Sequence, residues 1–215
     1  MRGPAVLAAI VVVALVASGI SPHDRLTWVM EVVPVFVALP ILVATRDRFP
    51  LSGLLYSLIA IHCLVLILGG AYTYARVPLG FWMQDLFGFT RNPYDRIGHF
   101  MQGLVPALVA REILLRGRFV NTRRMAGFLS VCVALSVSAC YELIEWWSAV
   151  ALGQGADEFL GTQGDPWDTQ WDMFMALVGA TTAMLALSRV HDASMERIQS
   201  NPAKSSGPAR GARAP

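Results

Sequence analysis

Three pairs of side chains in this sequence are spaced for joint chemistry. Asp95 and His99 stand at i and i+4, and Gln102 and Pro106 continue the same line at i+7 and i+11. Glu142 and Glu145 stand at i and i+3 with Tyr141 beside them, and Asp168 and Asp172 stand at i and i+4. Residues three or four apart share one face of a helix, so each pair presents its two groups in the same direction. Carboxylates gathered side by side cannot all be ionised; such a cluster holds protons or binds a cation. A histidine among aspartates and glutamates is a ligand set for divalent Zn, Mn, Fe or Mg. Neighbouring carboxylates are also a common acid–base arrangement. The expected catalytic set is therefore Asp95, His99, Glu142, Glu145, Asp168 and Asp172, and the expected metal ligands within it are His99, Glu142, Glu145 and Asp172. Asp95 is expected to hold one ring nitrogen of His99 and leave the other free, as carboxylates behind metal-bound histidines do. All six are expected to share one cavity that opens to the outer side.

The elements that must position these residues are membrane helices. The chain is 55% hydrophobic and 15% charged with mean hydropathy +0.51, whereas a soluble domain carries about 25% charged residues. Its apolar runs approach the ~20 residues that a spanning helix needs. They are 5–20, 27–45, 51–69, 94–115, 125–152 and 172–190. Val16-Ala17-Ser18 offers a small-residue cleavage site. The short turn Ser21–Arg25 into the next apolar run instead favours an uncleaved first helix. Residues 70–92 are aromatic and too broken to span, and read as an interfacial segment with the aromatics at headgroup level. The expected class is all-α: a polytopic membrane protein of six transmembrane helices forming one domain over 1–198. Residues 199–215, rich in Ser, Pro, Gly and Ala, read as a disordered cytoplasmic tail.

Positive charge sets the orientation. With the N-terminus inside, thirteen Lys and Arg fall on the inner side and four on the outer side, so both termini are expected in the cytoplasm. Glu31, His62, Asp95, His99, Gln102, Tyr141, Glu142, Glu145 and Asp172 then all lie in one leaflet, within about 12 Å of the outer surface. Charged groups inside a bilayer cost about 2.5–3.5 kcal/mol each on insertion scales and face the bundle interior. The stretch 151–172, with five acids, no Lys or Arg, four Gly and two Trp, is expected to cap this cluster, with 157–171 ordered over the outer end. The ordinary alternative is a set of interfacial hydrogen bonds and ion pairs.

Other polar residues read more plainly. Arg111 and Glu112 read as an ion pair at the inner end, His23 and His191 as solvated, and His62 as a packed helix residue. Trp146, Trp147, Trp167 and Trp171 fit an interfacial aromatic belt. Cys63, Cys132 and Cys140 lie within apolar runs and read as small buried residues. No basic patch with interleaved aromatics points to nucleic acid.

Three segments carry a resemblance: Asp95-Arg96-Ile97-Gly98-His99-Phe100-Met101-Gln102-Gly103, Tyr141-Glu142-Leu143-Ile144-Glu145-Trp146, and the run from Gly161 through Gly164-Asp165-Pro166-Trp167-Asp168 to Asp172-Met173. Together they resemble the YjdF-like bacterial inner-membrane proteins, a family of unknown function, over nearly the whole chain. A looser similarity is to VanZ-like proteins, which carry Asp-Lys-x-x-His-Phe, a helix with Tyr-Glu, and an Asp-x-x-x-Asp/Asn step into a final helix. Asp95, His99, Tyr141, Glu142, Asp168 and Asp172 match that pattern, with Arg96 for Lys. VanZ-like proteins are linked to glycopeptide resistance, which implies a cell-envelope setting.

Two functions follow as expectations. One is a metal-dependent hydrolase acting on a lipid or lipid-linked envelope substrate, with a metal lowering the pKa of bound water. The sequence contains no His-Glu-x-x-His and no Gly-x-Ser-x-Gly. The other is a non-enzymatic protein of binding, transport or antibiotic tolerance, using the same cavity for a cation or an amine-bearing ligand. Its six helices show no internal repeat of the kind secondary transporters carry. Membrane lipids are the expected partners.

Overall fold

The computed structural model describes residues 2–152 and 162–200, and among them every regular element is a helix. The helices are α1 (Arg2–Ile20), α2 (Arg25–Thr45), α3 (Gly53–Tyr72), α4 (Pro78–Phe87), α5 (Tyr94–Arg116), α6 (Arg123–Leu152), α7 (Asp168–Thr182) and α8 (Ser188–Gln199). A π-helical turn, Ala183–Leu187, joins α7 to α8. Of the proposed tail 199–215, Gln199 ends α8 and 201–215 lie outside the described residues, as do positions 153–161 of the acidic stretch.

Five segments are long and apolar enough to cross a membrane: Gly3–Ile20, Arg25–Thr45, Gly53–Tyr72, Arg123–Ala151 and Asp168–Ile198. Their outer faces are apolar; Val13 is 69% and Leu185 83% exposed. α5 is equally long but carries Asp95, Arg96, His99, Arg111, Glu112 and Arg116. It is the centre of the bundle, packed against α7, α6 and α3. Charges are tolerated on a helix that other helices surround. The last helix begins at Asp168, not at Asp172 as the apolar run suggested, and continues past Val190 to Gln199.

Lipid tails are as apolar as leucine, so helices in a bilayer associate through van der Waals packing at small residues. The α5–α7 contact follows this rule. A Cβ added to Gly103 would strike the backbone of Ala176, and one added to Gly179 would strike the carbonyl of Phe100. Beside them Ala107, Ala134, Ala180 and Ala183 pack with Leu55, Leu104, Val105 and Leu108. A second cluster, including Val11, Leu15, Val32, Val35, Ala60 and Ile67, joins α1, α2 and α3. Cys63 belongs to it, but Cys132 and Cys140 are exposed on the apolar face of α6, contrary to the buried reading.

The turns at one end are built by side chains. Asp24 accepts the Thr27 N–H at 2.7 Å and caps α2; that hydrogen bond holds its carboxyl below the usual range. Residues 70–92 form the last turn of α3, a left-handed step at Thr73 and Tyr74, and the amphipathic α4. Tyr72, Phe81, Trp82, Phe87 and Phe89 are exposed, but Tyr74 is not. Its left-handed backbone swings the ring inward against Gly69 and beside Tyr94, where a Cβ on Gly69 would not fit.

Candidate functional site

His99 is the centre about which the acids gather. The first turns of α5 place Asp95 and His99 inside the bundle, the far end of α6 brings Glu142 and Glu145, and the start of α7 brings Asp168 and Asp172. All six are buried. His99 Nε2 lies 3.5 Å from Asp95 Oδ1 and 3.8 Å from Asp172 Oδ2, and Nδ1 lies 3.7 Å from Glu142 Oε1. Asp95, His99 and Asp172 offer ligand atoms within 4.8 Å of one another, and so do His99, Glu142 and Glu145. Glu142 Oε1 and Asp172 Oδ1 have no hydrogen-bond partner.

Both ring nitrogens of His99 have a neighbour: Gln102 Oε1, 2.9 Å from Nδ1, accepts the ring hydrogen bond, and Asp95 Oδ1 lies 3.5 Å from Nε2. Gln102 sits one turn deeper on the same face and reaches Nδ1, while Asp95 lies on the Nε2 side. With Nδ1–H donating to Gln102, the neutral ring turns the lone pair of Nε2 toward the carboxylates of Asp95 and Asp172. Three electron-rich atoms then face one space. A proton on Nε2 or a cation between them resolves the repulsion.

A cavity of about 160 Å³ is lined by Asp95, His99 and Glu145, together with Glu31, His62 and Tyr141. Glu142, Asp168 and Asp172 stand outside its lining. The Arg91 guanidinium pairs with Asp168 at 2.5 Å. Tyr141 Oη donates to Glu31 Oε2 at 3.3 Å and meets the His99 ring edge-on. Glu31, His62 and Tyr141 have the depth of the cluster in the sequence, but nothing in their spacing pairs them with it. Arg91 gives no signal there at all.

The described part of the acidic stretch is latched to the loop before α5. Arg91 Nη1 donates to the Thr162 carbonyl at 2.7 Å, and Arg96 lies 3.6 Å from Asp165 and stacks over Trp171. Asn92 N–H donates to Gln163 Oε1 and Gln163 Nε2 donates back to the Asn92 carbonyl. These contacts tie 162–171 to residues 91–96; of the stretch 157–171 expected to form a cap, 157–161 lie outside the described residues. Trp146, Trp147, Trp167 and Trp171 are all exposed around this end.

A second buried polar group occupies the opposite end. His191, read as solvated, is fully buried. Its Nε2–H donates to Glu112 Oε2 at 2.9 Å, and Nδ1 accepts from Arg111 at 3.3 Å. Arg111 and Glu112 do not pair with each other. Arg111 pairs with Asp192 at 2.8 Å, and Glu112 Oε1 accepts from Arg116 at 2.5 Å and from the Ser52 N–H at 2.8 Å. Adjacent residues on a helix point about 100° apart, so each finds its partner on a different neighbour. Every member of this group is bonded, which is what an interhelical fastening requires.

No solved structure matches the chain. It is 60% identical over 184 residues to "Inner membrane protein YjdF" of Escherichia coli (strain K12), covering 86% of this chain and 88% of that one. The family described as "Predicted membrane protein (DUF2238)" matches residues 3–193, and with its apolar helices surrounding a charged central one, the chain belongs to that family.

Proposed function

We propose that the chain is a metal-dependent membrane hydrolase that acts on a lipid or lipid-linked envelope substrate, with a divalent cation held at His99. The carrying observation is the position of His99 Nε2, 3.5 Å from Asp95 Oδ1 and 3.8 Å from Asp172 Oδ2, while Gln102 occupies Nδ1. Ligands around one tetrahedral Zn²⁺ lie about 3.3 Å apart for bonds near 2.0–2.1 Å. The 3.5 and 3.8 Å separations need little contraction to reach that. One imidazole among several carboxylates suits Mn²⁺ and Mg²⁺ as well as Zn²⁺. Such a cation supplies Lewis acidity and a water of lowered pKa. Glu142 or Glu145 would take the proton of the attacking water; as the water oxygen bonds to the acyl carbon or phosphorus, the bond to the leaving oxygen would break and the same carboxyl would return its proton to that oxygen.

The same reading makes α5 a sixth spanning helix, because its 23 residues reach about 34 Å. It places the chain in the inner membrane, as the name of its relative suggests, with the His99 cluster on the outer side and both termini cytoplasmic. The Lys and Arg distribution supports this orientation. A reporter fused after Arg123 should read as cytoplasmic and one after Gly155 as extracytoplasmic; opposite readings at both sites would reverse it.

Metal content tests the site. Full-length protein purified from metal-replete cells should hold about one divalent ion per chain. His99→Ala and Asp172→Ala should lose it. Wild type free of metal overturns the proposal and leaves His99 as an imidazolium among carboxylates. A bound metal without release of any product from an envelope lipid extract, followed by mass spectrometry, leaves the binding, transport or tolerance role in place of the hydrolase.

A further inference from the structure

The cavity beside His99 is not closed by the helices around it. α2 packs on α3 and lightly on α1, α6 packs on α5 and α7, and backbone packing between α2 and α6 is sparse. The cavity lies at this seam, lined by Glu31 and Pro34 of α2 and by Val137, Tyr141 and Glu145 of α6. The Tyr141–Glu31 hydrogen bond crosses it.

The lining is graded along the helices. From the cluster end inward, α5 contributes Asp95, His99, Gln102 and then Pro106. α6 contributes Glu145, Tyr141 and then Val137, and α2 contributes Glu31 and then Pro34. On all three, polar precedes apolar. α3 alone reverses the order, with Leu66 before His62. The seam's outer flanks are apolar and exposed at Val33, Phe36 and Val37 on α2 and at Val133, Val137 and Ile144 on α6. At that depth between two spanning helices, the surrounding medium is acyl chain.

We propose that the α2–α6 seam is a lateral port through which an acyl-chain lipid enters from the bilayer. The chain lies against Pro34, Pro106 and Val137, and the head group reaches Glu31, Glu145 and His99. An amphiphile has the same polarity gradient as the lining, and a cavity of roughly 150 Å³ takes a benzene-sized apolar group. Carboxylates at the polar end call for a head that donates hydrogen bonds, such as an ammonium or hydroxyl. This assignment rests on the reading of the His99 cluster as the reacting centre, and the experiment below separates the two.

The probe is phosphatidylethanolamine with a diazirine midway along one acyl chain, in nanodiscs of phosphatidylcholine holding the full-length protein. Photolysis followed by peptide mass spectrometry should place adducts on Pro34 and Pro106, besides surface adducts such as those on Val137 and Leu185. Val137→Trp fills the seam and should lower adducts at Pro34 and Pro106 several-fold, with Leu185 unchanged. Adducts on lipid-facing positions alone in the wild type overturn the port, whether or not the variant folds. Unchanged cavity labelling in a folded Val137→Trp also overturns it. Metal content is measured on the same samples. Labelled cavity without metal keeps the port and rejects the metal site; metal without cavity labelling does the reverse.

Discussion

Asp172 and His191 lie nineteen residues apart on the last helical segment, yet both meet α5, Asp172 at His99 and His191 at Glu112. An unbroken α-helix turns about 100° per residue, so nineteen residues leave the two side chains about 100° out of line. The π turn at Ala183–Leu187 lies between them. Such a turn takes up one extra residue and cancels that offset. Asp172 and His191 thereby come onto one face of their own helical segment, from which each reaches α5.

Removal of a residue within the turn should therefore be tolerated. Leu185 is 83% exposed, and its deletion converts the π turn into an ordinary one with both contacts still aligned. Deletion of Leu177 in α7 instead moves Gly179, Ala180 and Ala183 out of register with α5. Thermal unfolding of purified protein in detergent should show the Leu185 deletion close to wild type and the Leu177 deletion strongly destabilised. Equal loss in both would show that the π turn does not set the register.

The same relationship explains which parts of the molecule were legible in the sequence. Asp95, His99, Glu142, Glu145 and Asp172 lie on strongly apolar or clearly bounded helices, so spacing and depth were enough to bring them together. His191 was misread because the apolar run ends near Val190, and a histidine just beyond such a run looks solvated. Nothing in the sequence marks a π turn or the continuation of the helix to Gln199. Tyr74 was misread for a related reason: interfacial aromatics look alike until a left-handed backbone turns one of them inward. The Tyr141–Glu31 bond spans 110 positions and joins helices that scarcely pack, so no periodicity could have revealed it. Spacing along one helix is local, whereas the side of His99 on which an acid falls depends on how helices rotate against each other. That is why the pairing of Asp168 with Arg91 could not be read from spacing.

The separation of α5 and α7 should control the cluster as well as the fold. His99 and Asp172 lie on these two helices, and the closest approach between them is at Gly103 and Gly179. The atoms a new Cβ would meet there are backbone atoms of Ala176 and Phe100, which cannot rotate away. Gly103→Ala must push the helices apart, and overpacking of this kind costs about 1–3 kcal/mol. Gly127→Ala is the matched control, because its Cβ would meet only Met184 Sδ at an ordinary 3.7 Å. Gly103→Ala should lower the melting temperature and release bound metal, since Asp172 withdraws from His99 Nε2. Gly127→Ala should leave both close to wild type. Melting curves and metal analysis on the same preparations check this. A Gly103→Ala protein that melts early but keeps its metal would show that Asp172 is not a ligand and that the cation rests on His99, Glu142 and Glu145.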